Sequence, residues 1–243
     1  MQQRFWIVVA GVAIASIALT VWWRYREPPP VAPAPPPVVQ APPPKPPDAP
    51  LPPAAESDAS IRSLLAAVSP RPELRQFLSQ PDLLDRWAVV TDNLALDASP
   101  RKQLSFLAPK APFKALEKGG RASMDPRSYQ RYDFFAAVVE SVDAKAFVAA
   151  ARQLQPLLSA AYHKLGYPDK SYDSAAQAAL QRLIDAPVVE APPELKSKGA
   201  IWQYTDEKLE SLGPVEKHLL RMGPRNTRII QAKARELAAA LAH

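Results

Sequence analysis

Between Pro28 and Pro53 more than half of the residues are proline. Proline fixes its own φ, carries no backbone N–H and biases the residue before it towards extended conformations. A tract this dense therefore forms polyproline II rather than a packed core. At roughly 3.1 Å per residue it reaches about 80 Å as a semi-rigid spacer, and it separates a short amino-terminal segment from a long carboxyl-terminal one. Such a tract can also dock into aromatic grooves, for which Pro35-Pro36-Pro37 and Pro42-Pro43-Pro44 are suited.

Within the amino-terminal segment, Phe5 to Trp23 contains no charged residue. As a helix it would be about 28 Å long, close to the hydrocarbon thickness of a bilayer. Trp6 at one end and Trp22, Trp23 and Tyr25 at the other supply interfacial rings, and Arg24 and Arg26 can snorkel to headgroups. A cleaved leader should have stopped before Leu19 to Trp23, where this run continues. The expectation is a short cytoplasmic amino terminus (residues 1–4), one transmembrane helix (5–23), a proline-rich linker (24–53) and a globular domain (54–243). Flanking charge is nearly balanced. The outward orientation of the domain is argued from the spacer, which suits a domain that must reach across an envelope compartment. This places the chain in an inner membrane with its domain in the periplasm.

Residues 54–243 are enough for one adequate core. The absence of cysteine excludes disulfides, thiolate catalysis and cysteine metal sites. His163, His218 and His243 lack metal-ligand spacing with carboxylates, so neither a metal nor a cofactor is expected. Periodicity is mostly helical. Ile61, Leu64, Leu65 and Val68 form one stripe behind a Ser57 or Asp58 cap, and Leu83, Trp87, Val90 and Leu94 form a second. Phe147, Ala151, Leu154, Leu158, Ala161 and Leu165 form the longest, with a kink expected at Pro156 and a left-handed cap at Gly166. Tyr132, Phe135 and Val139 mark another helix, and Ala176, Leu180 and Leu183 another. Gly213-Pro214 and Gly223-Pro224 each read as a helix end followed by a proline-led start.

Gly119-Gly120, between Phe113–Lys118 and Arg121–Asp125, predicts a hairpin with a primed turn. Pro187 to Tyr204 reads as an extended arm, because Pro192-Pro193 forbids helix and Trp202 and Tyr204 alternate onto one face. The fold class expected is mainly α: a bundle-like, multi-helix domain with a small β hairpin and arm, preceded by one transmembrane helix.

Charge is segregated along the domain. Arg101 to Arg131 holds eight lysines and arginines against two acids, whereas Tyr132 to Leu195 holds eight acids against five bases. In a helical final segment Arg225, Arg228 and Arg235 share a sector of roughly 80°, opposite Ile230, Ala234, Leu237 and Leu241. A helix start at Pro224 would set unpaired N–H groups beside Arg221, Arg225 and Asn226, an arrangement that favours an anion. That anion could be a carboxylate of a partner protein or cell-wall peptide, a lipid phosphate, or an internal carboxylate. Tyr129, Tyr132 and Asp133 are further candidates to line a pocket, although aromatic hydroxyls beside a helix also serve as satisfied core edges.

The phrase Arg221-Met222-Gly223-Pro224-Arg225-Asn226 joins Ser57-Asp58, Asp92-Asn93, Asp125-Pro126, Tyr129, Tyr132-Asp133 and Leu165-Gly166-Tyr167-Pro168-Asp169. Together these resemble an uncharacterised bacterial domain-of-unknown-function family with a single membrane anchor and a proline-rich linker. The resemblance covers most of Ala54 to Arg235. It implies no activity, ligand or catalytic residue, and Glu216 stands where the family pattern expects glutamine.

The function expected is a non-catalytic binding or scaffold domain of the bacterial inner membrane, with an envelope protein or a peptidoglycan component as partner. An envelope enzyme would need acids such as Asp133, Asp169 or Asp173, but these sit at expected helix ends, where capping explains them. No nucleophile, triad or metal set accompanies them. A cytoplasm-facing domain would instead meet anionic lipid or nucleic acid. Nucleic acid is disfavoured because the domain carries 26 bases against 22 acids and no base-reading motif.

Overall fold

The computed structural model describes residues 53–199 and 201–242. The expected anchor and nearly all of the linker lie outside the described residues. Among the described residues no helix is long and apolar enough to cross a membrane. The domain is mainly helical with one small antiparallel sheet.

Three helices come first: α1 (Ala54–Leu65), α2 (Pro72–Leu78) and α3 (Leu83–Ala95). Ser57 and Asp58 lie inside α1, which begins before them, so they do not cap it as expected. Asp58 is buried and serves a different helix. Its carboxylate accepts from Asp82 N at 3.1 Å and Leu83 N at 2.7 Å, and Arg62 pairs with it at 3.2 Å. Asp82 has a left-handed backbone and makes no cap of its own, so the start of α3 borrows one from α1.

Two single-turn 3₁₀ segments, Pro100–Lys102 and Ser105–Leu107, lead into a hairpin of β1 (Ala115–Lys118) and β2 (Arg121–Met124). Both turn glycines have positive φ, 59° and 74°, as a primed turn requires. A 3₁₀ segment, Pro126–Tyr132, then feeds α4 (Asp133–Glu140), α5 (Ala144–Lys164) and α6 (Tyr172–Asp185). α5 stays helical through Pro156, and Gly166 beyond its end has φ 104°.

The arm beyond α6 is not a single extended segment. It folds back at Gly199 into a second hairpin, β3 (Glu194–Lys198) with β4 (Ile201–Tyr204), and β3 pairs with β2 to give the order β1-β2-β3-β4. Ala122, Leu195 and Tyr204 lie in one row across the sheet. With period two, Met124 and Trp202 share their face, which is the apolar one. A short α7 (Glu207–Glu210) precedes α8 (Pro214–Leu241), which packs on α4, α5, α6 and the 3₁₀ segment before α4. α8 breaks at Gly223, where φ is 79° and ψ 167°, and resumes at Pro224.

Three separate apolar clusters result among the described residues. α1, α2, α3, α5 and α6 enclose Ile61, Leu83, Leu154 and Leu158. The sheet encloses Met124, Leu195 and Tyr204 with Leu220 of α8. Leu219 and Ile230 of α8 meet Ala186, Phe135 and Leu183. The second and third clusters stand on either side of a cleft.

Candidate ligand-binding cleft

The cleft has a volume of about 880 Å³, within the roughly 300–1,000 Å³ typical of small-molecule sites. One wall is the apolar face of the sheet, with Met124, Leu195, Trp202 and Tyr204; the opposite wall is helical, with Leu180 and Leu183 of α6 and Ile230, Ala234 and Leu237 of α8. Leu104, Leu107 and Phe113, from the segment between α3 and β1, line it further. The helical stripe thus does two jobs. Ile230 and Ala234 are buried, whereas Leu180, Leu183 and Leu237 remain half-buried at the cleft.

Among the described residues five basic side chains, Arg101, Lys102, Arg131, Arg221 and Lys233, also line the cleft, and no aspartate or glutamate does. Lys233 is neutralised by Glu236 and donates to Val142 O at 2.7 Å. The other four have no acid partner within salt-bridge distance among the described residues. Arg131 is held by neutral groups: it donates to Ser128 O and Ala111 O, each at 3.0 Å, and its guanidinium lies 5.6 Å from the Phe113 ring centre and 5.2 Å from that of Tyr132. Its position is fixed and its charge is not cancelled.

Tyr204 is 3 % exposed and its hydroxyl has no hydrogen-bond partner. Burial pushes its pKa up to about 12, so it is a neutral donor. His218 is held down to about 4, by burial first and then by Arg221 and Arg101, and is neutral at pH 7. One of its ring nitrogens lies 2.8 Å from Ser99 Oγ. A serine–histidine contact invites a nucleophile reading, but an imidazole so acidic is a poor base, and no carboxylate among the described residues hydrogen-bonds its other nitrogen. The contact ties the segment after α3 to α8.

The residues singled out from the sequence fall into three places. Arg221 and Tyr132 line the cleft. Tyr129, Asp133, Arg225 and Asn226 gather at the break in α8. Asn226 is 1 % exposed, and its amide nitrogen lies 2.9 Å from Asp133 Oδ1, 3.2 Å from Tyr129 O and 3.1 Å from Met222 O. Arg225 approaches Asp133 at 3.5 Å, so an internal carboxylate stands beside the helix start. Arg228 pairs with Glu190. Asp133 and Asp173 occupy first turns of α4 and α6.

In the sequence Arg131 belongs to a basic stretch, Trp202 and Tyr204 to an arm, and His218 stands alone. The basic excess from Arg101 to Arg131 was the available signal, but nothing in the order of residues shows that it faces α8 across a gap.

Among the described residues no group of histidines and carboxylates is placed to hold a metal ion. No curated protein and no solved structure matches the chain. The family model described as "Protein of unknown function (DUF3014)" matches residues 83–238. The match opens at the borrowed cap of α3, spans every wall of the cleft and omits Ser57-Asp58; the chain belongs to this family.

Proposed function

We propose that this chain is an inner-membrane-anchored envelope protein whose domain, projected into the periplasm by the proline-rich spacer, binds a ligand or partner without transforming it. The observation that carries the reading is the cleft: apolar walls, unneutralised cations and no carboxylate. Such a lining offers burial and charge complementarity to a bound molecule. It offers no acid–base pair of suitable strength. Arg221 and Tyr132 are the sequence-derived residues that act directly, while Tyr129, Asp133, Arg225 and Asn226 hold the broken helix that presents them. Arg228, paired with Glu190, contributes to the exposed basic face available to an envelope protein or a peptidoglycan component.

Two measurements test this. In spheroplasts, externally added protease should digest the carboxyl-terminal domain before lysis while a cytoplasmic control survives; protection until lysis would reverse the orientation and sink the periplasmic reading. The neutral dye N-phenyl-1-naphthylamine, added to the full chain in nanodiscs, should show enhanced fluorescence above that of empty discs. Leu107→Trp, which fills the cleft from a surface segment, should abolish the excess. An unchanged signal would mean that the cleft is not the binding site.

A further inference from the structure

We propose that the cleft is built for a long-chain fatty acid, one unbranched acyl chain ending in a carboxylate. The inference rests on the binding reading above and names the ligand class. Three observations converge. First, both walls are apolar, with Leu183 and Leu237 on the helical side and Trp202 on the sheet side of a volume of about 880 Å³, which suits a flexible hydrocarbon tail better than a polar wall fragment. Second, Arg221 and Arg131 reach the same cleft without an acid partner, and the lining includes no carboxylate that would repel an anionic head. Glu210, whose carboxyl feels the charge of Arg221, makes its direct contacts elsewhere: it accepts from Tyr204 N at 2.9 Å and pairs with Lys217 at 3.1 Å. Third, the buried Tyr204 hydroxyl in the sheet wall lacks an acceptor. An entering carboxylate would supply one, and charge-assisted hydrogen bonds from a guanidinium and a phenol are the strong kind.

The head and tail requirements are separable. A fatty alcohol of the same chain keeps the burial and loses the charge, so the acid should bind about tenfold more tightly or better, as expected for a hydrogen bond to a charged group. The full chain in phosphatidylcholine nanodiscs would be exposed to photoreactive hexadecanoic acid and photoreactive hexadecanol, with crosslinks mapped to peptides by mass spectrometry. Labelling on the Trp202 and Leu237 peptides should occur at about one-tenth the acid concentration needed for the alcohol. Arg221→Gln, and independently Arg131→Gln, should bring the acid towards the alcohol while the melting temperature holds. Equal labelling of the cleft by acid and alcohol in the unaltered chain would overturn the fatty-acid assignment and leave a binding cleft in place. So would entry of the neutral dye without labelling by either probe. Exclusion of both probes and the dye would overturn the binding reading as well.

Discussion

Asp58 of α1 and Asp97 of the turn after α3 each cap a helix to which they do not belong. The N–H groups of a helix's first turn lack intrahelical acceptors, and buried ones need partners. α3 starts from left-handed Asp82 and is capped by Asp58 of α1. α8 starts from Gly213, which has no side chain, and Asp97 Oδ1 accepts from Val215 N at 3.1 Å. A Cβ on Gly213 would stand 1.3 Å from Asp97 Oδ2, so the glycine is what admits the foreign cap. Glu216 completes the arrangement by accepting from Gly213 N at 3.0 Å, a role glutamine fills equally well in such boxes, which explains how the departure from the family pattern is tolerated. Asp58→Ala should lower stability by roughly 1–3 kcal/mol, since it strands two backbone donors and removes the partner of Arg62. Urea unfolding followed by circular dichroism checks this; a loss under about 0.5 kcal/mol would mean water replaces the carboxylate without cost. That Asp58 is a cap was legible in the sequence, whereas Ser57, offered beside it, is buried with its hydroxyl unpartnered. The target of Asp58 was not legible, because a cap across 25 positions depends on how α1 and α3 pack.

At the scale of elements, the break in α8 was written in Gly223-Pro224, since proline cannot continue the hydrogen-bond ladder and φ 79° is glycine's territory. What fills the break was not. The Tyr129 ring packs on Gly223 so closely that a Cβ there would lie 2.4 Å from its Cγ. Thr227 Oγ1, 2.8 Å from Leu219 O and 2.9 Å from Gly223 O, meets carbonyls at the interruption. Gly223→Ala should therefore cost about 2–4 kcal/mol, from strain at positive φ together with displacement of the ring. Arg225→Ala should cost under about 1 kcal/mol, because the Arg225 side chain is 73 % exposed and its pair with Asp133 is screened. Thermal melts of the two variants separate the cases. Comparable losses would mean that the Arg225 pair, rather than the packing beneath it, holds the bend. The second hairpin is unmarked in the sequence for a related reason: proline bounds the arm, but Lys196, Ser197 and Lys198 lack the alternation that marks a half-buried strand. Only Leu195 of β3 is buried, so the strand owes its existence to pairing with β2 and β4.

At the scale of the molecule, three clusters rather than one continuous core are what leave room for the cleft, and α8 borders it along much of its length. The stripes of α1, α3, α4, α5 and α6 could be read from periodicity, whereas the one- and two-turn helices α2 and α7 are too short to show a period; the gap could not be read either, since Leu180 and Leu237 continue apolar stripes whether they meet a neighbour or a void. The same geometry sets a pH dependence. His218 has a folded pKa of about 4 against an ordinary 6.5, so the fold prefers the neutral imidazole. Its contribution is fully present above about pH 6.5 and is lost as pH falls towards 4, when the native state must accept a cation beside Arg221 and Arg101. The depressed carboxyls of Asp125 and Glu210 act in the same direction, but lower, below the ordinary carboxylate range. Asp92, raised by burial, acts oppositely, losing its contribution as pH rises through its folded pKa. The window between about pH 6.5 and 5 therefore belongs mainly to His218. Urea midpoints of the unaltered chain should fall across that window. His218→Gln, which retains a hydrogen-bonding partner for Ser99 and cannot ionise, should flatten the decline. If the variant declined as steeply as the parent, His218 would not be the group that titrates in this window, and its burial beside Arg221 and Arg101 would not be holding the imidazole neutral.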